Sequence, residues 1–183
     1  EELAQKLQQS FKNVFLNEHG YLLDYVDGQM QDWSVRPNQI FAIALDFSPL
    51  DLKERKRVLD ICTRELVTPK GVRSLSPKSG GYNPLYVGQQ TQRDFAYHNG
   101  TAWPWLTGFY LEAYLRIYKM SGVNFIERQL IGFEEELFYH CVGTIPELFD
   151  GNPRFSGRGA ISFAMNVSGL LRAINILDKY TRE

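Results

Sequence analysis

Several features that mark common protein classes are scarce in this 183-residue chain. It has two cysteines without C-x-x-C spacing, so we expect a reduced, cytoplasmic protein. It has no run of lysine and arginine and a formal net charge of -1, which leaves no electrostatic basis for binding nucleic acid or a membrane surface. No apolar run is long enough to cross a bilayer. No signal-like segment opens the chain. It begins within a helical pattern and without a methionine, so the sequence is compatible with an upstream signal or domain that has been cut away.

The common catalytic and metal-binding motifs are also absent. The sequence has no G-x-S-x-G, P-loop or dinucleotide fingerprint. Its three histidines are scattered, and the adjacent pair His140-Cys141 does not have the spacing of a structural zinc site. We therefore expect neither a metal nor an organic cofactor.

The apolar content is sufficient for a folded core. Hydrophobic residues make up 44% of the chain and aromatic residues 14%, which is a high aromatic share. No linker or internal repeat divides the sequence, so we expect residues 1–183 to form one domain or part of a larger one.

Apolar periodicity predicts six helices with short strand excursions between them. The helices are predicted at residues 1–16, from 37 to about 45, 48–66, 101–120, 124–140 and 160–179. Ser48 is the predicted N-cap of the third helix with Asp51 as its capping-box acid, and Asn124 and Glu127 form a predicted capping box for the fifth. Short strands are predicted near residues 21–26. A long loop is predicted over 67–92, and its apolar and aromatic residues argue against disorder.

The connections between these helices alternate in character. Those into the second, fourth and sixth helices are long and rich in glycine, proline, aromatic and charged residues, whereas the other two are short. Because short connections make successive helices antiparallel, the three long loops are predicted to share one end. The fourth and sixth helices are apolar around much of their circumference, which indicates an inner layer, and the third and fifth are charged on one face. This pattern predicts an all-α toroid of alternating inner and outer helices, although a plain helical array with incidental long loops is the alternative.

Polar and aromatic groups concentrate in residues 93–105, which read R-D-F-A-Y-H-N-G-T-A-W-P-W. Tryptophan faces cover the apolar face of a sugar ring, and Asp, Asn, Arg and His side chains bind its hydroxyls. We therefore predict a site for a flat, hydroxyl-rich ligand. The alternative is that the aromatic residues belong to the core and that Thr101 only caps a helix.

Glu147 is the best candidate for acid–base chemistry. It lies between apolar residues in the loop before the sixth helix, where a carboxylate can be positioned for proton transfer. The alternative is a structural role, as a cap or as an ion-pair partner of Arg154 or Arg158. Asp150 is better explained by a turn, and Asp32 and Asp94 are further candidates.

Four ordered motifs together resemble the C-terminal catalytic region of glycogen debranching enzymes, the amylo-α-1,6-glucosidase family. They are R-P-N-Q at 36–39, L-V-T-P-K-G-V-R-S-L at 66–75, Y-H-N-G-T-A-W-P-W at 97–105 and P-E-L-F-D-G at 146–151. The resemblance covers about residues 32 to 178. It implies an (α/α)6 toroid of the glucoamylase-like type, of which this chain would form about the C-terminal half.

The resemblance also implies roles for individual residues. Glu147 would be the catalytic base of an inverting hydrolysis that removes α-1,6-linked glucosyl stubs from glycogen or limit dextrin. The implied pocket wall consists of Tyr97, Trp103 and Trp105. The implied hydroxyl-binding residues are Asn38, Arg73, His98 and Asn99. Proline replaces the family's usual serine before the glutamate.

The general acid of the family is an aspartate well upstream, and nothing before Asp32 resembles that region. We therefore expect either a missing N-terminal part of the barrel or self-association to cover the open edge. Two other functions remain open: a non-catalytic glucan-binding fragment, and an α/α-barrel hydrolase of another sugar, trehalase-like or rhamnosidase-like.

Overall fold

The computed structural model describes residues 1–140 and 142–182, so Cys141 of the His140-Cys141 pair lies outside the described residues. Within them are eight α-helices: α1 (Glu2–Phe15), α2 (Gln39–Ala44), α3 (Leu52–Glu65), α4 (Gln90–Tyr97), α5 (Trp105–Tyr118), α6 (Val123–Ile131), α7 (Glu136–Tyr139) and α8 (Ala164–Arg182). The described strands are β1 (Val26–Asp27), β2 (Met30–Gln31), β3 (Val67–Thr68), β4 (Gly71–Arg73), β5 (Ala102–Trp103), β6 (Leu148–Phe149) and β7 (Gly157–Arg158).

The strands form two antiparallel sheets. β1 pairs with β2, and the second sheet has the order β3-β4-β5-β6-β7. Val72 of β4 pairs with Trp103 of β5, and Ala102 of β5 pairs with Phe149 of β6. The all-α prediction is therefore wrong in this respect. These strands have two or three residues, too few to produce the alternating apolar pattern from which a strand is recognised.

The helices form an inner and an outer layer. α5 packs against α2 on one side and α8 on the other, while α3 packs behind α2 and α5, and α6 packs behind α8. The approach of α5 and α8 depends on glycine, because a Cβ atom at Gly108 would overlap the carbonyl oxygen of Gly169. The predicted alternation of inner and outer helices is present.

The main core lies between these layers. Tyr110, Leu111 and Leu115 of α5 are buried against Val58 and Leu59 of α3. α8 is less buried than its apolar sequence predicted, since Leu171 and Ile174 are exposed. Across residues 1–140 and 142–182, none of the helices combines the length and apolarity needed to cross a bilayer.

Two of the predicted helix caps are wrong. Asp51, rather than Ser48, is the N-cap of α3: its side chain accepts the Glu54 N–H at 2.9 Å, and the Glu54 carboxylate accepts the Asp51 N–H at 2.8 Å. The Ser48 hydroxyl instead donates to the Ala42 carbonyl. The predicted box of Asn124 and Glu127 is absent, because a 3₁₀ turn over Lys119–Gly122 runs directly into α6.

Other helix boundaries also differ from the prediction. The predicted fifth helix is divided into α6 and α7. α5 starts at Trp105 rather than 101, because Ala102–Trp103 pair as a strand and Pro104 occupies the N-cap. α8 starts at Ala164 rather than 160. The predicted loop contains a hairpin and leads into α4, which the apolar pattern missed because its sequence, QTQRDFAY, is mainly polar.

Candidate active site

A pocket of about 380 Å³ lies where the inner helices α2, α5 and α8 begin and α4 ends. Five of the residues predicted for the site line it: Asn38, Tyr97, His98, Trp103 and Trp105. The sequence analysis did not assign seven other lining residues to the site: Arg36, Pro37, Phe41, Ser74, Leu106, Phe163 and Met165. The predicted placement of the three long loops at one end is confirmed, since each of them, or the helix start that follows it, supplies lining residues.

The Glu147 carboxylate is held at both oxygens beside this pocket. Its Oε1 accepts a hydrogen bond from the Tyr97 hydroxyl at 2.6 Å, and its Oε2 accepts one from the Ala160 N–H at 2.9 Å. The Glu147 N–H donates in turn to the Ala160 carbonyl at 2.9 Å. These contacts fix the carboxylate in one orientation, as a positioned proton acceptor requires.

Tyr97 is fixed as a hydrogen-bond donor. Burial raises the pKa of its hydroxyl well above the ordinary tyrosine value, and the adjacent Glu147 carboxylate raises this pKa further. The hydroxyl therefore keeps its proton at neutral pH. The ring meets Trp103 edge to face with 4.6 Å between centroids, which locks the direction in which the hydroxyl points.

Gly159 leaves the space that the carboxylate occupies. Its φ of +71° lies in the left-handed region, and a Cβ atom there would overlap the Glu147 carboxylate. The next residue, Ala160, supplies the N–H that binds Glu147. The glycine thus permits both the turn and the close approach.

Asn166 joins the Glu147 loop to the start of α5. Its side chain is fully buried, and its Nδ2 donates to the carbonyls of Pro146 and Glu147, the latter at 2.7 Å. Its Oδ1 accepts the Trp105 N–H at 3.0 Å. The Asn166 amide therefore connects the backbone at Glu147 to the backbone at Trp105, which lines the pocket.

The opposite side of the pocket is held by charged residues. The Asn38 Nδ2 donates to the Asp24 Oδ1 at 2.7 Å, which orients its amide. The Arg36 guanidinium donates to the carbonyls of His98 at 2.6 Å and Ser74 at 3.2 Å. This arginine connects the start of α2 to the end of α4, so the pocket does not depend on a single loop.

Comparison with known proteins identifies the family of this chain. The sequence profile described as Amylo-alpha-1,6-glucosidase matches residues 1–172. The chain belongs to the amylo-α-1,6-glucosidase family. It is therefore a domain of glycoside hydrolase type.

A relative agrees with this assignment, and a solved structure shows the fold. The glycogen debranching enzyme of Saccharomyces cerevisiae is 35% identical over 109 residues, which cover 54% of this chain and 7% of the relative. The structure of neutral trehalase from Saccharomyces cerevisiae superposes with a TM-score of 0.64 at 16% identity, over 98% of this chain and 32% of the trehalase. This similarity confirms an α/α toroid fold. The chain spans only a small part of each of these proteins.

Two residues predicted to bind hydroxyls, Arg73 and Asn99, do not line the pocket of this amylo-α-1,6-glucosidase domain. The Arg73 guanidinium donates to the Gly151 carbonyl at 2.8 Å and to the Glu65 carbonyl at 3.3 Å, so it supports the turn after β6. The Asn99 side chain accepts from Arg36 at 3.0 Å and donates to the Phe95 carbonyl at 2.7 Å. Both side chains are engaged with the protein itself.

The alternative of aromatic core residues is partly confirmed. Trp103 is only 7% exposed, and its Nε1 donates to the Thr101 hydroxyl at 3.1 Å. Thr101 does not cap a helix start; its hydroxyl donates to the Tyr97 carbonyl at 2.9 Å, at the end of α4. Trp103 is therefore mainly a support for Tyr97, whereas Trp105 is half-buried at the pocket.

The alternative role for Glu147 was an ion pair with Arg154 or Arg158, but Arg158 pairs with Asp150 instead. Arg158 binds Asp150 at 2.8 Å, and Asp150 also accepts the Tyr86 N–H at 2.9 Å. Asp150 is thus a structural residue of the β6–β7 hairpin. Among the residues that the structure describes, no basic side chain lies within 4.0 Å of Glu147.

The other candidate acids lie outside the pocket lining. Asp32 accepts the Ser34 N–H at 2.8 Å and so stabilises a turn, and Asp94 is exposed on α4. In the described part of the chain, no carboxylate lines the pocket, and Glu147 adjoins it only through its hydrogen bond to the lining residue Tyr97. A cluster of three metal-binding side chains is not found among these residues either.

Sequence reasoning also missed Asn166 and Asp24, which hold residues of the site in place. Asn166 carries a recognisable signal, because it is a polar residue on the same face of α8 as the buried Gly169, Leu170 and Ala173. A polar side chain on a buried face needs internal partners. Asp24 has no comparable signal in its surroundings.

Proposed function

We propose that this chain forms the base-bearing part of a cytoplasmic inverting hydrolase that removes α-1,6-linked glucosyl stubs from glycogen or limit dextrin. The orientation of Glu147 carries the proposal. Its carboxylate is held by Tyr97 and Ala160 beside an aromatic pocket. Among the described residues it forms no ion pair, so it is free to accept a proton. Family membership and the partial similarity to a glycogen debranching enzyme support the choice of substrate.

In the proposed reaction, Glu147 accepts a proton from a water molecule as the water attacks the anomeric carbon. Trp105 and Phe41, which stack with 6.0 Å between ring centroids, provide an apolar surface for the sugar face. Asn38 and His98 provide polar groups for its hydroxyls. No cofactor enters this scheme.

Inverting hydrolysis also needs a general acid, with the two carboxyl groups about 6.5–9.5 Å apart. We expect this acid on another part of the barrel, packed beside the exposed face of α8. That face includes Leu171 and Ile174 and borders an apolar groove of about 580 Å³. Either an N-terminal part of the barrel or a second copy of the chain would cover it.

The stereochemistry of glucose release tests the reaction class. The assay uses limit dextrin with the chain and with the product of any longer reading frame that contains it. NMR should show β-glucose as the first product, because inversion converts the α-linkage. Release of α-glucose, or of no glucose by the longest product, would contradict the proposal.

The Glu147→Gln variant tests the role of the carboxylate. It keeps the size of the side chain but cannot accept the proton, so turnover should fall by about 10²–10⁴-fold with substrate affinity and melting temperature largely retained. Single-turnover rates and melting curves measure the two quantities. A variant that melts early but hydrolyses at the wild-type rate would assign Glu147 a structural role.

A non-catalytic glucan-binding domain is the second candidate. It is favoured by one observation, that no carboxylate among the described residues lines the pocket. This candidate predicts binding of a branched oligosaccharide without hydrolysis by any product that contains the chain.

A further inference from the structure

A further, smaller groove is lined by residues next in sequence to those of the pocket. Its volume is about 290 Å³, and we call it the rim groove. Its lining includes an aromatic wall, Tyr21 and Trp33, and a charged wall, Arg64, Glu65 and Lys78. The other lining residues are Val35, Ile61, Ser76 and Ser79.

The rim groove and the pocket share two chain segments. Arg36 and Ser74 line the pocket, whereas Val35 and Ser76, one and two residues away, line the rim groove. The Ser76 N–H donates to the Val35 carbonyl at 3.0 Å, which joins the segments directly. A flexible ligand that leaves the pocket thus has the rim groove as a neighbouring surface.

The aromatic wall of the rim groove is both exposed and held in place. Trp33 is 42% exposed, a large aromatic area for a side chain outside the core. Its carbonyl accepts the Tyr21 hydroxyl at 3.1 Å, and the His19 ring meets the indole edge to face with 5.9 Å between centroids. The hydrogen bond holds the Trp33 backbone and the His19 ring contacts the indole, so less conformational entropy is lost when a ligand stacks on it.

The charged wall is organised by one buried carboxylate. Glu65 is 5% exposed, and its Oε1 lies 2.7 Å from the Lys78 Nζ and 3.1 Å from the Arg64 Nε. Its Oε2 accepts the Ser76 hydroxyl at 3.0 Å. The Arg64 and Lys78 side chains remain 64% and 76% exposed, so their N–H groups can donate to a ligand in the same groove as the indole.

We propose that the rim groove binds a linear α-glucan segment, the outer chain of the polymer whose branch stub occupies the pocket. The proposal rests on the proposed function for the identity of the sugar. A ring of glucose has an apolar face for Trp33 and hydroxyls for Arg64, Lys78 and Ser79, which matches the two walls. The polymer has to extend out of a pocket of about 380 Å³, and the rim groove extends the binding surface along one of its borders.

Binding of the 183-residue chain to two ligands tests the proposal. Affinity electrophoresis measures binding to glycogen, and calorimetry measures binding to panose, a short α-1,6-containing oligosaccharide that reaches only the pocket. Trp33→Ala should weaken glycogen binding about three- to tenfold, the scale of one aromatic contact, and leave panose binding unchanged. Trp33→Phe should restore most of the loss, and Arg64→Ala should weaken glycogen binding independently of the indole.

Two control variants separate the rim groove from other surfaces. Tyr139→Ala removes an aromatic ring that is 84% exposed on α7 and should change neither affinity. Trp105→Ala alters the pocket and should weaken both. Melting curves verify that each variant is folded.

Failure of the two proposals is distinguishable. Wild-type glycogen binding by folded Trp33→Ala and Arg64→Ala variants would overturn the rim groove and leave the hydrolysis proposal intact. Glycogen binding that depends on Trp33, in a protein that never releases glucose, would support the rim groove and reject hydrolysis. A wild-type chain that does not bind glycogen would overturn the rim groove.

Discussion

The Tyr97 hydroxyl donates to the Glu147 Oε1 across 2.6 Å, which joins the end of α4 to the loop before α8. These residues are 50 positions apart in the sequence and come from two different motifs. A hydrogen bond to an ionised carboxylate is stronger than one between neutral groups, so Tyr97 is a main determinant of the direction in which Glu147 faces.

Tyr97→Phe should lower turnover without unfolding the domain. The ring still packs on Trp103, but Glu147 loses one of its two donors, and a hydrogen bond to a charged group contributes about 1.5–3 kcal/mol. We therefore expect the turnover number of an active form of the protein to fall about 10–100-fold, with a smaller change in KM.

The matched control for Tyr97→Phe is Tyr86→Phe. The Tyr86 ring lies 5.9 Å from that of Tyr97, and removal of its hydroxyl leaves Glu147 with both donors. If both variants lose the same activity, or if Tyr97→Phe loses stability but not turnover, Tyr97 does not position the carboxylate.

Asn166→Ala should destabilise the domain and reduce turnover together. It leaves the Trp105 N–H and two carbonyls without their side-chain partner in a buried region, and each such group costs about 1–3 kcal/mol. Urea denaturation measures the free energy of unfolding. Single-turnover kinetics measures the rate of hydrolysis, which should fall if the Glu147 carboxylate is displaced.

Asn175→Ala removes an exposed asparagine from the same helix and should be nearly neutral. Asn166→Asp adds a further comparison, since it keeps the size of the side chain but presents an acceptor to the carbonyls of Pro146 and Glu147. Equal stability of the Asn166→Ala and Asn175→Ala variants would remove Asn166 from this role.

Gly159→Ala should lower the activity that depends on Glu147, in addition to destabilising the fold through an unfavourable backbone conformation. A non-glycine residue with positive φ costs about 1–3 kcal/mol, and here the new methyl group also displaces the carboxylate. Gly28→Ala is the matched control, because Gly28 has a φ of +58° but open space around its Cβ position. Activity should fall only for Gly159→Ala, and equal activity of the two variants would show that the carboxylate tolerates the methyl group.

Sequence reasoning located the helices whose apolar period is sustained and the motifs that surround the pocket. α1 and α3 end within two residues of their predicted positions, since each has a long amphipathic pattern. The placement of Tyr97, Trp105 and Glu147 at one end followed from the alternation of long and short connections.

Side-chain partners were harder to predict, because they depend on contacts between distant segments. Arg73 was predicted to bind substrate, but it binds the Gly151 carbonyl, 78 positions away. Arg158 was considered a partner of Glu147, but Asp150 is buried beside it and forms the ion pair. Choices of this kind are decided by strand pairing, which two-residue strands do not reveal in the sequence.

The sheet that links the loops constrains how the site can be altered. Val72 pairs with Trp103, Ala102 with Phe149, and Leu148 with Arg158, so the loops before α5 and α8 share one hydrogen-bonded register. A residue inserted within any of these strands would turn its side chains to the opposite face. Loops grafted from a related protein must therefore be exchanged as a set, since each one serves as the template on which the next is aligned.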